Sequence, residues 1–549
     1  MQHATKRQHS PSPAWLGMLW PFVIMAVGTA LAFVSGPIGA LVIIVGYVWL
    51  VVQSLPLALA VYVIAAPFPF GLTFHHHHIN LSDAMAIIMA VRLLVMSTDD
   101  GLRSVWRRFL ASPFWRPVVL LLVLSILSLA TALSHSTTIV KILEYIEFFV
   151  VVVAVAHEAG LHEEDWKPIL GALFGIASLL SLYGLYQFLF SVGPAANAID
   201  IHHVRAEAVF GQPNAFGGFE AMVFPLIAAL MAYGPRWARG WWMWVAAALS
   251  ALGVIDSFSR GAWVAAVASV LAMGIAAWAI QGRTRINRQF VIPAIAVPIL
   301  GFIFVDLLGK TNLTVHVHTL AAAKHAVKPG TKAVAHHVAK TTTHVVKGTK
   351  TVAKHVAKPI AKTLAQRRKI AHIKRIHYLV AHHRTTTERL VSTVTALVHP
   401  KGHFDTMQRI LIWKEALKAI KQHPILGVGL GGFHRYAQLH PEKGLVGAPP
   451  MAHNLYLEWG ADLGVLGIVA GLWLEWSWVR HAIQSLTHRV RQLTPFEFAL
   501  GLGAFGTMVS FIVHDWVDFM IDHGVIVPLL LAMAAVWSLH DRREAGGKR

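Results

Sequence analysis

"WLGMLWPFVIMAVGTALAFV", residues 15–34, contains no charged side chain. As a helix rising 1.5 Å per residue it is about 30 Å long, the thickness of the hydrocarbon core of a bilayer. It is too long for the apolar part of a signal peptide and shows no clear cleavage site, so it reads as an uncleaved first span. Similar runs recur to about residue 539. With 56% hydrophobic residues, 13% charged residues and a mean hydropathy of +0.56, a soluble multidomain protein is excluded. The fold class is all-α: a polytopic integral membrane helical bundle of about 12–14 spans with one long extracytoplasmic loop. The spans are placed at 15–34, 37–53, 56–74, 79–97, 117–134, 138–156, 168–190, 215–233, 241–257, 261–280, 290–309, 454–476, 496–513 and 524–539, the second and third being short enough for a re-entrant hairpin. The absence of cysteine excludes disulfides, zinc–thiolate sites and cysteine nucleophiles.

Lysine and arginine in the short loops set the orientation. "DDGLRSVWRRFLASPFWR", "GPRWARG", "QGRTRINRQ", "VRHAIQSLTHRVR" and the tail "HDRREAGGKR" are basic; "SHST" and "DSFSRG" carry few cations. Both termini are therefore placed in the cytoplasm, and residues near 75–78, 191–214, 256–260, 310–453 and 514–523 outside. Four regions follow: an N-terminal transmembrane bundle at 1–309, an insert at 310–403, an outer helix and Gly-rich turn at 404–453, and C-terminal spans with a tail at 454–549. The insert holds eighteen lysines and arginines against one acid, Glu388. It reads as a solvated, low-complexity segment, or as a contact for anionic head groups or acidic polymer. With one aromatic residue, Tyr378, it is a poor nucleic-acid binder.

Next, "DTMQRILIWKEALKAIKQHP" predicts a helix at about 406–422 with Ile410, Leu411, Ala416, Leu417 and Ile420 on one side, ended by Pro424. "GVGLGG", 427–432, matches GxGxxG, but a helix rather than a strand precedes it, so the glycines read as a tight turn and not a nucleotide site. "HHHH", 75–78, reads as an interfacial cap, and "HDWVDFMIDH", 514–523, as the polar rim of a cavity, with His514 and Asp515 as supporting residues. Metal binding is the weaker alternative for both. In "HNLYLEWGADLG", His453 precedes a helix on which Asn454 and Glu458 share a face and Gly460, Gly464 and Gly467 form a stripe of small residues. Capping explains Asn454 but not His453. Arg205 in "VRAEAVFGQPN", Arg260 in "DSFSRGAW" and Arg409 each suit a snorkelling role alone. Together with His453 at one side of the membrane, they point to a functional site.

On "RAEAVFGQPNAFGG", "SFSRGAW", "QRILIWKEALKAIKQHPILGVGLGGF" and "HNLYLEWGADLGVLG" the chain resembles the O-antigen ligase/Wzy polymerase superfamily of membrane glycosyltransferases. The resemblance covers roughly 200–310 and 404–470; the insert departs from it. It implies a glycan donor on undecaprenyl diphosphate, a glycolipid, glycan or protein acceptor, membrane lipid partners, no cofactor and no metal. It implies His453 as the catalytic residue and Arg205, Arg260 and Arg409 as diphosphate-binding residues. The residue chemistry agrees: arginine forks match phosphate oxygens, and histidine, titrating at about pH 6.5, suits proton removal. Ligase-like transfer is favoured over polymerisation and protein glycosylation. A transporter, the rival of a different class, would show internal repeats and mid-membrane charge, and the sequence has neither.

Overall fold

The computed structural model describes residues 14–32, 34–74, 77–96, 107, 109–194, 197, 204–281, 298–301, 303, 404–445, 447–487 and 492–547. The basic insert 310–403, most of the expected span 290–309, and His75 and His76 lie outside the described residues.

The chain is a polytopic membrane protein built from helices. In order they are α1 (Ala14–Ala32), α2 (Gly36–Gln53), α3 (Leu55–Ala65), α4 (Leu81–Met96), α5 (Trp115–Leu127), α6 (His135–Ile146), α7 (Val153–Ala159), α8 (Glu163–Phe190), α9 (Pro213–Tyr233), α10 (Trp241–Asp256), α11 (Arg260–Gln281), α12 (Phe404–Gln422), α13 (Phe433–Leu439), α14 (Leu455–Leu463), α15 (Val465–Thr487), α16 (Pro495–Asp515) and α17 (Val527–Gly547). A π-helical stretch, Glu147–Val152, joins α6 to α7. Among the described residues, five helices are long and apolar enough to cross a membrane: α2, α8, α9, α11 and α16. The expected third span, 56–74, stops at Ala65. Pro67 and Pro69 follow, and proline neither donates a helical hydrogen bond nor lets the preceding residue stay helical. The chain instead forms a two-stranded antiparallel hairpin, β1 (Gly71–Phe74) with β2 (His77–Asn80). His77 and His78 therefore lie in a strand.

Burial separates the centre of the bundle from its rim. α9 is 94% buried, whereas α2 and α11 are each 28% buried and leave Leu41, Val45, Val267 and Leu271 exposed for lipid. α9 packs against α16, α10 and α11. Gly503 and Gly506 of α16 allow the approach: a Cβ on Gly503 would stand 2.9 Å from Leu226 Cα, and one on Gly506 2.7 Å from Pro225 Cβ. Pro225 has no N–H, so the Ala221 carbonyl loses its helical donor; Ser510 Oγ of α16 donates to that carbonyl at 2.8 Å. Thr507 Oγ1 donates to the Met222 carbonyl, also at 2.8 Å. Interhelical bonds of this kind contribute about 0.6–2 kcal/mol each in a membrane. The α9–α16 contact is thus a rigid post, and the site is built where its ends meet the loops.

Candidate active site

The expected continuous span 454–476 is broken. Gly464 has φ +76° and ends α14 after nine residues, and α15 starts at once. A side chain on Gly464 would stand 2.5 Å from the Ile425 backbone, so the break also lets the chain pass close to the end of α12. Gly460 packs against Ile420 of α12, and Gly467 against Leu463 and the Trp459 carbonyl. The glycines thus serve three contacts and not one stripe. On α12 itself the buried face is Ile412, Ala416 and Ala419, while Leu417 is exposed. That face, spaced i, i+4, i+7, meets α14 and α13; of the set expected from the sequence it keeps Ala416, and Ile420 reaches Gly460, whereas Leu417 points away.

The Gly-rich turn wraps the end of α14. Gly427, Gly429 and Gly431 all have positive φ, +63°, +93° and +74°. Gly431 N–H and Phe433 N–H donate to the two oxygens of Asp462 at 2.6 and 2.9 Å. A glycine loop of this shape offers backbone N–H groups to an anion; here the anion is the buried carboxylate of the protein itself.

His453 stands directly before the N-cap of α14, with φ +50°. That left-handed conformation costs an L-residue about 1–2 kcal/mol, so its neighbours must hold it. On one side Glu458 accepts from the Ala452 N–H. On the other, Asn454 accepts from Leu457 N–H at 2.9 Å as the helix cap, and its amide donates to the Trp516 carbonyl at 2.8 Å. Asn454 and Glu458 therefore do not bond through their side chains: each clamps one flank of His453. The imidazole points at Asp518, with Nδ1 2.9 Å from Oδ1. Asp518 also accepts from its neighbour's backbone, Phe519 N–H, at 3.1 Å, and its other oxygen is 3.5 Å from Arg409 Nη2. Arg409 Nη1 donates to the Val517 carbonyl.

Burial alone would raise the Asp518 carboxyl. The His453 hydrogen bond, followed by the charges of His453 and Arg409, outweighs burial and holds Asp518 well below the usual carboxylate range. An ionised carboxylate only accepts hydrogen bonds, so His453 Nδ1 carries the proton of this pair. In the neutral form of the ring, Nε2 then has the lone pair and is the atom able to take a proton.

The remaining site residues reach this pair through α16 and the corner between α10 and α11. His514 is 1% exposed, with Nε2 3.5 Å from Ser259 Oγ. Asp515 is fully buried and accepts from Met520 N–H at 2.9 Å. Neither pairs with His453; Asp518, three residues further on, does. Its place four residues after His514 in "HDWVDFMIDH" is the one signal that sequence reading had for it. Arg205 is half-buried. Its Nε donates to the Ser257 carbonyl at 3.0 Å and its Nη2 to Asn214 Oδ1 at 2.7 Å, both neutral acceptors. Arg260 opens α11 next to Ser259. The corner is tight: Phe258 has φ +50°, and a side chain on Gly261 would meet His514 at 3.1 Å. The N-termini of α9, α11 and α14 thus arrive beside Arg205, Ser259 and His453. Each helix start carries about half a positive charge, the kind of end that favours an anion. Asp83, Glu147 and His523 also place one ligand atom each within 4.8 Å of one another; His523 Nε2 lies 3.0 Å from Asp83 Oδ1 as an ion pair.

Residues 245–472 match the family model described as O-antigen ligase. This chain carries an O-antigen ligase-family domain. The matched stretch of the ligase domain is less than half of the chain. It holds Arg260, Arg409, His453, Asn454 and Glu458, whereas Arg205, His514, Asp515 and Asp518 fall outside it. No curated protein matches the chain. The match over 245–472 supports a membrane function of the O-antigen ligase/polymerase type in general, and the helical bundle agrees with a membrane protein.

Proposed function

We propose that the chain transfers a glycan from undecaprenyl diphosphate to an acceptor hydroxyl at the outer face of the bacterial cytoplasmic membrane. The observation that carries this reading is the His453–Asp518 pair, 2.9 Å apart, with Arg409 on the same carboxylate. The acceptor O–H gives its proton to His453 Nε2 as its oxygen attacks the anomeric carbon. The bond from that carbon to the diphosphate breaks, and undecaprenyl diphosphate leaves with the electron pair. Attack opposite the leaving group inverts the anomeric centre. Charge grows on the diphosphate as the bond breaks, so cations fixed there stabilise the transition state more than the ground state. Arg205, Arg260 and Arg409 take that role, aided by the three helix starts. Because they supply the positive charge, the reaction needs no metal, and transfer should persist in a chelator.

The test is purified protein with lipid-linked glycan and, in separate arms, a glycolipid acceptor or a second lipid-linked unit. Wild type should yield product in the glycolipid arm, and His453→Ala none above background. Equal product from both proteins would sink the assignment of the base; product only in the second arm would make the enzyme a polymerase.

A further inference from the structure

The loop between α16 and α17 has two working sides. Asp518 faces His453; four residues on, Asp522 and His523 border a cavity of about 350 Å³. That volume lies in the range of small-ligand sites, roughly 300–1,000 Å³. The other walls are the end of α3, Asn80, the face of α6 bearing Lys141 and Glu144, and Phe210 in the loop before α9. Four residues of extended chain bound the distance between the Asp518 and Asp522 Cα atoms to about 14 Å, within the length of one oligosaccharide.

The lining has a definite charge. Lys141 is taken by Glu144 at 2.6 Å, and His523 by Asp83 at 3.0 Å. Asp522 accepts the backbone N–H of His523 at 2.8 Å and has no cation at ion-pair distance among the described residues. With Asp83 counted beside the lining, the carboxylates outnumber the cations and the excess charge is negative. The ring of Phe210 shares this lining, held in place by Phe219 at a centroid distance of 5.3 Å and by Phe216 at 6.4 Å. Carboxylates, an amide and an aromatic ring in one lining match a sugar ring, whose hydroxyls donate and whose C–H face is apolar. They reject phosphate or uronate, which would meet Asp522 and Glu144 as like charges.

We propose that this cavity is a sugar subsite that holds a neutral or amino sugar of the glycan and excludes acidic sugars. The inference rests on the glycosyl-transfer reading above and adds to it which substrate part is bound and with what charge.

The experiment is saturation-transfer NMR on the full-length protein in detergent, with glucosamine, N-acetylglucosamine and glucuronate as separate millimolar probes. Wild type and His453→Ala should both give signal from the first two and little from glucuronate. Phe210→Ala should weaken the amino-sugar signal at least tenfold. Asp522→Asn, a near-isosteric change, should narrow the preference for glucosamine over glucuronate while thermal unfolding stays unchanged. Equal binding of glucuronate and glucosamine by wild type, no signal from any probe, or signals indifferent to both cavity variants would each overturn the subsite. None of those results touches the base, which is judged separately by the loss of transfer in His453→Ala.

Discussion

His453 Nδ1 lies 2.9 Å from Asp518 Oδ1, although 65 residues separate the two in the chain. The contact orients the ring with Nδ1 toward the carboxylate and leaves Nε2 for the proposed role of base. Asp518→Asn keeps the shape but presents an amide that no longer demands a donor from the ring. Its transfer rate should fall about 10- to 100-fold, less than the roughly 10²–10⁴-fold that a lost general base costs. A single-turnover assay at saturating donor checks this. A rate within twofold of wild type would remove Asp518 from the mechanism.

Arg409 touches both Val517 and Asp518, and Arg205 touches Ser257 and Asn214. Arg205→Lys keeps the charge and loses the fork. Donor KM should rise about tenfold, corresponding to one charge-assisted hydrogen bond of roughly 1.5 kcal/mol. Arg409→Ala should additionally lower kcat, because it also removes a cation from Asp518. Titrating donor at fixed acceptor separates the two effects.

Glu458 holds the backbone of Ala452 and is 6% exposed. Glu458→Leu leaves that N–H buried without an acceptor and should cost about 1–3 kcal/mol. Glu458→Gln retains a carbonyl oxygen and should stay close to wild type. Thermal unfolding in detergent of both variants is the check; equal losses would mean that the carboxylate acts by charge and not by clamping.

Gly427 has φ +63°, and a Cβ there would stand 2.2 Å from the Asp462 carbonyl carbon. Gly427→Ala should destabilise by more than the 1–2 kcal/mol, roughly, of the backbone conformation alone. Gly171, inside α8 with open space around its Cβ, is the control. Gly171→Ala should stabilise by about 0.5–1 kcal/mol. Comparing the two melting temperatures isolates the turn.

His523 supplies a pH dependence. Burial would lower its pKa; the hydrogen bond to Asp83, then the charges of Glu144, Asp83 and Glu147, outweigh burial and raise it. A raised folded-state pKa gives stability that is complete below the unfolded value of about 6.5 and is lost as pH rises through the folded value. His523→Gln should therefore be less stable than wild type at about pH 6 and approach it at about pH 9. A gap that widens with pH would reverse the sign of this assignment.

Much of the fold was legible because bilayer thickness and backbone hydrogen bonding leave an apolar run little choice but to be a helix. The hydropathy of 37–53, 215–233 and 496–513 was enough to place α2, α9 and α16 to within about two residues. Helix ends were less legible. Pro67 and Pro69 cut α3 short, and Gly464 divides α14 from α15, because hydropathy measures solvent preference and is blind to φ. At the site, His453, Arg205 and Arg409 stood out as ionisable residues beside apolar runs. Asp518 did not, since three acids crowd residues 515–522 and only packing shows which one faces His453.

The sequence by itself determined that this is a helical membrane protein and that His453 stands ahead of a helix it does not cap, but its expectation that ionisable residues gather at span ends fails at Glu220 inside α9 and Glu475 inside α15. Those conclusions follow from composition and local spacing, which act over a few residues. The tertiary structure decided the partners: Asp518 for His453, Asp462 for the glycine turn, Ser510 for the carbonyl that Pro225 leaves without a donor. Each joins segments far apart in the chain, and which donor meets which acceptor depends on how the helices cross, a property of the packed bundle that no local pattern records.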